Sequence, residues 1–370
     1  MSMGLLGRII TSTNFGEEDD RIKRNAEYYE IIKRDRKHWC VLTDMAKDRF
    51  GSRFLQGRLE NGGYDDIQFI IGALTPQIKK LMVDSFGNHL VQKMFLKCTE
   101  AQIGEIVDIL TNNGHELINI CQDCNGSISV QKLLDSLTSG QQITKIVDVL
   151  SKGAVKLTKD PNGHLVIQQC WKTFSNEENK VLFRALAENC VDIARDRDGC
   201  CVLQSLILKA DEHLRAQIVG EITQNALVLA HDSYGNYVVQ FVVGQKIKEA
   251  TRSLVRNLKG QFETLSTNRF CCYLVVKFLK ESDDEFVIKF IIDELVNKSN
   301  ILMLLQDQYA NIVIQSALDV AEEVSMFYLI VSVIKMHHQS LHNHPFGKEV
   351  VLHMNQLIRD KQGDQHDRQF

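Results

Sequence analysis

The chain has 370 residues, only 3 prolines and a formal charge of −4 at neutral pH. That length exceeds what one core usually fills, which predicts several domains or a repeat array. Scarce proline among long runs of Leu, Lys, Glu and Gln predicts an almost wholly helical protein. The acidic balance excludes a general basic signature, so a nucleic-acid partner would have to be held by a local surface.

In chain order, residues 1–25 read as a partly flexible leader. The opening "MSMGLLGRII" is broken by Arg8 and soon turns acidic at "GEEDD", which makes a poor signal peptide. No apolar run approaches the roughly 18 residues a membrane helix needs. The expectation is therefore a soluble, intracellular protein with no membrane partner. Its 10 cysteines follow no disulfide pattern and are expected to be thiols. Cys121 and Cys124 form one CxxC, but no second ligand pair lies at zinc-site spacing. Cys200–Cys201 and Cys271–Cys272 are neighbours that point apart on a helix and chelate poorly. No metal and no cofactor are expected.

From about residue 40 one pattern recurs. "DSFGNHLVQKMF" from Asp84, "DPNGHLVIQQCW" from Asp160, "DRDGCCVLQSLI" from Asp196, "DSYGNYVVQFVV" from Asp232 and "DQYANIVIQSAL" from Asp307 share an acid, a small residue and a Gln. The small residue falls at Gly51, Gly87, Gly126, Gly163, Gly199, Gly235, Cys271, Ala310 and Gly347, in steps of 36, 39, 37, 36, 36, 36, 39 and 37 residues. So even a period marks a repeat architecture. Asp84, Asp123, Asp160, Asp196, Asp232 and Asp307 stand three residues before the small position. There a carboxylate can accept the free N–H groups of a first helical turn. The small residue then permits close backbone approach, an apolar pair such as Val238–Val239 points inward, and a second amphipathic segment such as "EHLRAQIVGEI" follows. Each unit reads as a small helical hairpin that cannot bury its faces alone. Stacked, such units share a core and make a curved solenoid. After Leu357, "IRDKQGDQHDRQF" reads as a fraying end, so that 359–370 are expected to be a flexible tail.

The scaffold is constant while the presented face varies. Asn236 and Gln240 are four apart and lie one above the other on a helix face, with Tyr237 beside them. Amides that both donate and accept suit uracil's mixed edge, a small Ser or Cys with Gln leaves room for a purine, and a planar neighbour can stack on a base. No nucleophile–base pair, phosphate-cradling loop or metal constellation accompanies them, so an enzyme is not expected. "NNGHE" at Asn112–Glu116 reads as a turn with a helix cap.

These features resemble the Pumilio (PUF) family, with eight repeats from roughly residue 40 to 355 inside a domain expected to span 26–358. "GSRFLQGRLE" is similar to the family's first repeat, "DQYANIVIQSAL" to its eighth and "HPFGKEVVLHM" to its closing pseudo-repeat. The resemblance implies an all-α, crescent-shaped solenoid with flanking caps. It also implies a monomer that binds single-stranded RNA antiparallel, one base per repeat. It further implies targets in mRNA 3′ untranslated regions, a cytoplasmic role in translational repression or mRNA decay, and repressor or deadenylase proteins as partners.

Carried over residue by residue, the resemblance implies A for Ser52 and Gln56 with Arg53 stacking, and U for Asn88 and Gln92 with His89 stacking. It implies A for Ser127 and Gln131 beside Ile128. In the fourth repeat His164 and Gln168, beside Leu165, depart from the pattern and leave the base open. Cys200 and Gln204 imply A, with Cys201 at the stacking position; Asn236, Tyr237 and Gln240 imply U. The seventh repeat has Cys272, Tyr273 and Val276 where the family carries a guanine-reading Ser and Glu. Asn311 and Gln315, beside Ile312, imply U. The implied target is U-N-U-A-N-A-U-A. Ile128, Leu165, Cys201 and Ile312 are not planar, which weakens stacking worth about 1–3 kcal/mol per base. Lys93, Lys132 and Lys277 are candidates for a local positive strip. The alternative reading is a protein-binding helical scaffold whose RNA binding has decayed.

Overall fold

The computed structural model describes residues 18–34, 39–297, 300–321 and 324–367, and every regular element among them is helical. The expected leader lies partly outside these residues; from Glu18 the chain is already a helix that runs to Arg34. Two compact units are present, Met1–Leu182 and Phe183–Phe370.

Each repeat holds three helices, one more than the predicted hairpin. The sixth repeat consists of Ala226–Ala230, Gly235–Gly244 and Lys248–Asn257. The extra helix is a single turn and a half ending just before the capping Asp. In the first unit the middle helices Arg49–Asn61, Gly87–Phe95, Cys124–Ser136 and Gly163–Thr173 pack in succession. In the second, Arg197–Lys209, Gly235–Gly244, Cys272–Glu281, Ala310–Val320 and Pro345–Asp367 do the same. The last helix continues across residue 359, where the tail was expected to begin.

The small residue matters because the middle helix starts directly over the end of the short one. A Cβ on Gly126 would lie 2.2 Å from the Ile120 carbonyl oxygen, and one on Gly199 would lie 2.5 Å from that of Ile193. No real Cβ tolerates such contacts. Behind the glycine, Val238, Val239, Val242 and Val243 are fully or almost fully buried, each contributing about 1.5–3 kcal/mol of transfer free energy. The seventh repeat keeps this plan despite its divergent sequence, with helices Phe262–Ser266, Cys272–Glu281 and Glu285–Val296.

Candidate nucleic-acid interface

The site is built from the cap upward. Asp232 accepts hydrogen bonds from the N–H groups of Tyr234 and Gly235, both at 2.9 Å. The same pair of bonds recurs at Asp84, Asp123, Asp160, Asp196 and Asp307. It also occurs at Asp48, which the sequence pattern did not single out, and Asn268 supplies it in the seventh repeat. Two of these acids also tie adjacent repeats together. Gln122 donates to Asp160 at 2.9 Å, and Arg195 donates to Asp232 at 3.0 Å. Burial raises the pKa of Asp232, but the two backbone N–H groups and Arg195 outweigh it and hold the carboxyl below its ordinary range.

With the helix start fixed, the next residue is buried, and here the sequence expectation needs correcting. Asn88, Asn236, Asn311, Ser52, Ser127, Cys200 and Cys272 are not surface side chains; Asn236 is 0% exposed. The Asn236 amide nitrogen donates to the carbonyls of Asp232 and Ser233 at 2.8 and 3.0 Å. Its oxygen, turned the other way, accepts from Gln240 Nε2 at 2.9 Å. Asn88 with Gln92, and Asn311 with Gln315, repeat the relay at 3.0 Å. In each case the half-buried Gln has its oxygen and one N–H left over, an acceptor beside a donor.

The other repeats differ in how this position is held. Ser52 donates to the Phe86 carbonyl and accepts from Gln56 at 3.1 Å. Ser127 donates to the Cys124 carbonyl, while Gln131 turns to the carbonyl of Ser127. Cys200 and Cys272 lean on the carbonyls of Arg197 and Arg269. Burial pushes the Cys200 thiol up to about 12, so it is protonated at neutral pH. His164 sits with Nδ1 3.0 Å from the Asp160 carbonyl oxygen. Val276 is half-buried and offers no polar atom.

The third position of each motif points outward. Arg53, His89, Ile128, Leu165, Cys201, Tyr237, Tyr273 and Ile312 are all exposed, Tyr237 by 48% and Tyr273 by 57%. In the second unit Cys201, Gln204, Tyr237, Gln240 and Lys277 line one groove of about 540 Å³. The lysines do not form an unpaired positive strip. Lys93 is paired with Glu60, Lys132 with Asp135 at 3.9 Å and Lys277 with Glu281 at 2.9 Å. Of the "NNGHE" segment, Asn113 precedes the helix Gly114–Gln122 without a side-chain cap bond, and Glu116 is paired with Lys79. No group of three metal-ligating side chains occurs among the described residues.

Known proteins resemble this chain in sequence and in fold. The pattern of the Pumilio-family RNA binding repeat matches residues 42–75, 77–111, 117–151, 154–187, 189–223, 225–243 and 300–333. The unmatched stretch contains the seventh repeat, whose three helices the structure nevertheless supplies. Pumilio homolog 12 of Arabidopsis thaliana is 36% identical over 307 residues, covering 83% of this chain and 51% of that protein. Pumilio homolog 9 of the same plant is also 36% identical, over 306 residues, with 83% and 53% covered. The chain thus spans about half the length of such relatives. Among solved structures, a Puf4 RNA binding domain bound to an HO endonuclease RNA 3′ UTR recognition sequence superposes with a TM-score of 0.72. It is 29% identical and covers 84% of this chain and 97% of its own. The RNA-binding domain of yeast Puf5p bound to SMX2 RNA gives 0.75 at 26% identity, covering 86% and 96%. With the repeat pattern matching more than half of the sequence, and with the cap, glycine and paired amides recurring at its period, the chain belongs to the Pumilio family of RNA-binding repeat proteins.

Proposed function

We propose that the chain binds single-stranded RNA one base per repeat, antiparallel to the protein. The target is U-N-U-A-N-A-U-A in the 3′ untranslated regions of cytoplasmic mRNAs. Binding then represses translation or promotes decay through recruited repressor or deadenylase proteins. The carrying observation is the threefold relay at Asn88–Gln92, Asn236–Gln240 and Asn311–Gln315, which presents the same acceptor and donor at one register. Val276 has nothing with which to select the second base, so exchanging that base should change affinity little.

A double substitution tests the reading. Asn236→Ser with Gln240→Glu replaces the amide pair by a hydroxyl and a carboxylate, and guanine brings two adjacent donors that a carboxylate accepts. Fluorescence anisotropy should show the third base switching from U to G, with each change worth roughly 1–3 kcal/mol. Equal weakening on both RNAs would refute base reading at this repeat. The second reading, a protein-binding scaffold, draws on the paired lysines and the four non-planar side chains at stacking positions. It requires that the wild-type chain bind the target no better than its complement.

A further inference from the structure

The fourth repeat has no counterpart among the others, and its geometry decides how it is read. Two ways of anchoring the buried residue recur. Ser127, Cys200 and Cys272 donate to the carbonyl three residues back, at 3.2, 3.2 and 3.6 Å. Asn88, Asn236 and Asn311 reach the carbonyl four residues back, at 2.7, 2.8 and 2.8 Å. His164 follows the asparagines: its Nδ1 meets the Asp160 carbonyl, four residues back, at 3.0 Å.

A carbonyl can only accept, so Nδ1 carries a proton, and with a single proton on the ring Nε2 is a bare acceptor. Imidazole and carboxamide each hold two polar atoms on either side of one carbon. One atom is tied to the backbone and the other is left for a second partner. In the asparagine repeats that oxygen already receives the Gln amide. In the fourth repeat Gln168 makes no hydrogen bond among the described residues, so both the Nε2 lone pair and the Gln168 amide are available to a ligand.

We propose that His164 is the specificity-determining side chain of the fourth repeat and that it selects uracil at the fifth base of the target. This rests on the RNA-reading function proposed above. Uracil brings an imino N–H to the Nε2 lone pair and a carbonyl oxygen to the Gln168 amide. Cytosine has the same size but presents a ring nitrogen lone pair where uracil has the proton, and adenine does likewise. Two facing lone pairs leave two desolvated acceptors without a donor. Guanine has an imino proton, but the imidazole extends further from the helix than the side chains of Ser127 or Cys200, which favours the one-ring base.

The first arm of the test uses the wild-type chain and synthetic RNAs of sequence U-G-U-A-X-A-U-A, with X as uridine, cytidine, adenosine or 3-methyluridine. Uridine should bind on the order of tenfold more tightly than the other three. 3-Methyluridine, in which a methyl group replaces the imino proton, should fall with cytidine. His164→Asn should keep the uridine preference, and His164→Ser should move it toward adenosine. Equal binding of uridine and cytidine, or tighter binding of adenosine, by the wild-type chain overturns the proposal. A parallel RNA with cytidine at the third base separates the two levels. If that change weakens binding while the fifth base is indifferent, only the role of His164 fails. If neither position matters, base reading fails with it.

Discussion

At the scale of single residues, the two halves of an Asn–Gln pair have different work. Asn236 is buried and satisfies two backbone carbonyls as well as Gln240, whereas Gln240 is half-exposed. Asn236→Ala should therefore cost about 1–3 kcal/mol of stability, since it strips partners from buried groups. Gln240→Ala should cost about 0.5 kcal/mol or less. Both should erase the preference for U over C at the third base. Thermal melts beside anisotropy titrations check the split, and equal melting shifts would contradict it. The identity and spacing of these residues were legible in the sequence; their burial was not. Asparagine on a helix is normally solvated; this one turns inward because the carbonyls of Asp232 and Ser233, just before the helix, accept its amide N–H groups.

At the scale of the helix, the capping carboxylates make stability depend on acid. Asp232 is held below its ordinary range against the opposing effect of burial. Asp66 is held low chiefly by its hydrogen bond from Lys33, with Tyr29 and Arg58 adding to it. A depressed folded pKa gives stability that is complete above the unfolded value, near pH 4, and that drains away as pH falls through the lower folded value. Asn can make the same cap, so Asp232→Asn removes only the charge: it should be less stable than wild type by about 0.5 kcal/mol at pH 7, and the gap should close toward pH 2. A gap that persists in acid would show that the charge is not what Asp232 contributes. The aspartate caps at Asp84, Asp123, Asp160, Asp196, Asp232 and Asp307 and the glycines at their fixed offset were readable because both follow from local backbone chemistry. The short helices were not. Five residues such as Ala226–Ala230 are too few to display a helical period, and their role as a floor beneath the glycine exists only after packing.

For the molecule as a whole, charge placement outweighs charge total. Lys93, Lys132 and Lys277 spend their charge on Glu60, Asp135 and Glu281, pairs that are partly exposed and worth little to stability. Glu60 lies a full repeat before Lys93, so a reading of neighbouring residues had no means of seeing the partnership. With Lys93, Lys132 and Lys277 held in these pairs, few counterions should be released by them on binding. The slope of log affinity against log salt should be shallower than about −3. A steep slope would mean that phosphates break the ion pairs and recruit the lysines.

The anchored amides also bear on time. A side chain that must be ordered by its ligand costs about 0.5–1.5 kcal/mol at the moment of contact, and Gln92, Gln240 and Gln315 have already met that cost against their asparagines. On the proposed reading, a uracil arriving at these repeats meets amides already held in place. Exchanging it for cytosine at the third base should accordingly leave the association rate within about threefold and act almost wholly on the lifetime of the complex. At the fourth repeat, where Gln168 is untethered, the association rate itself should respond to the base.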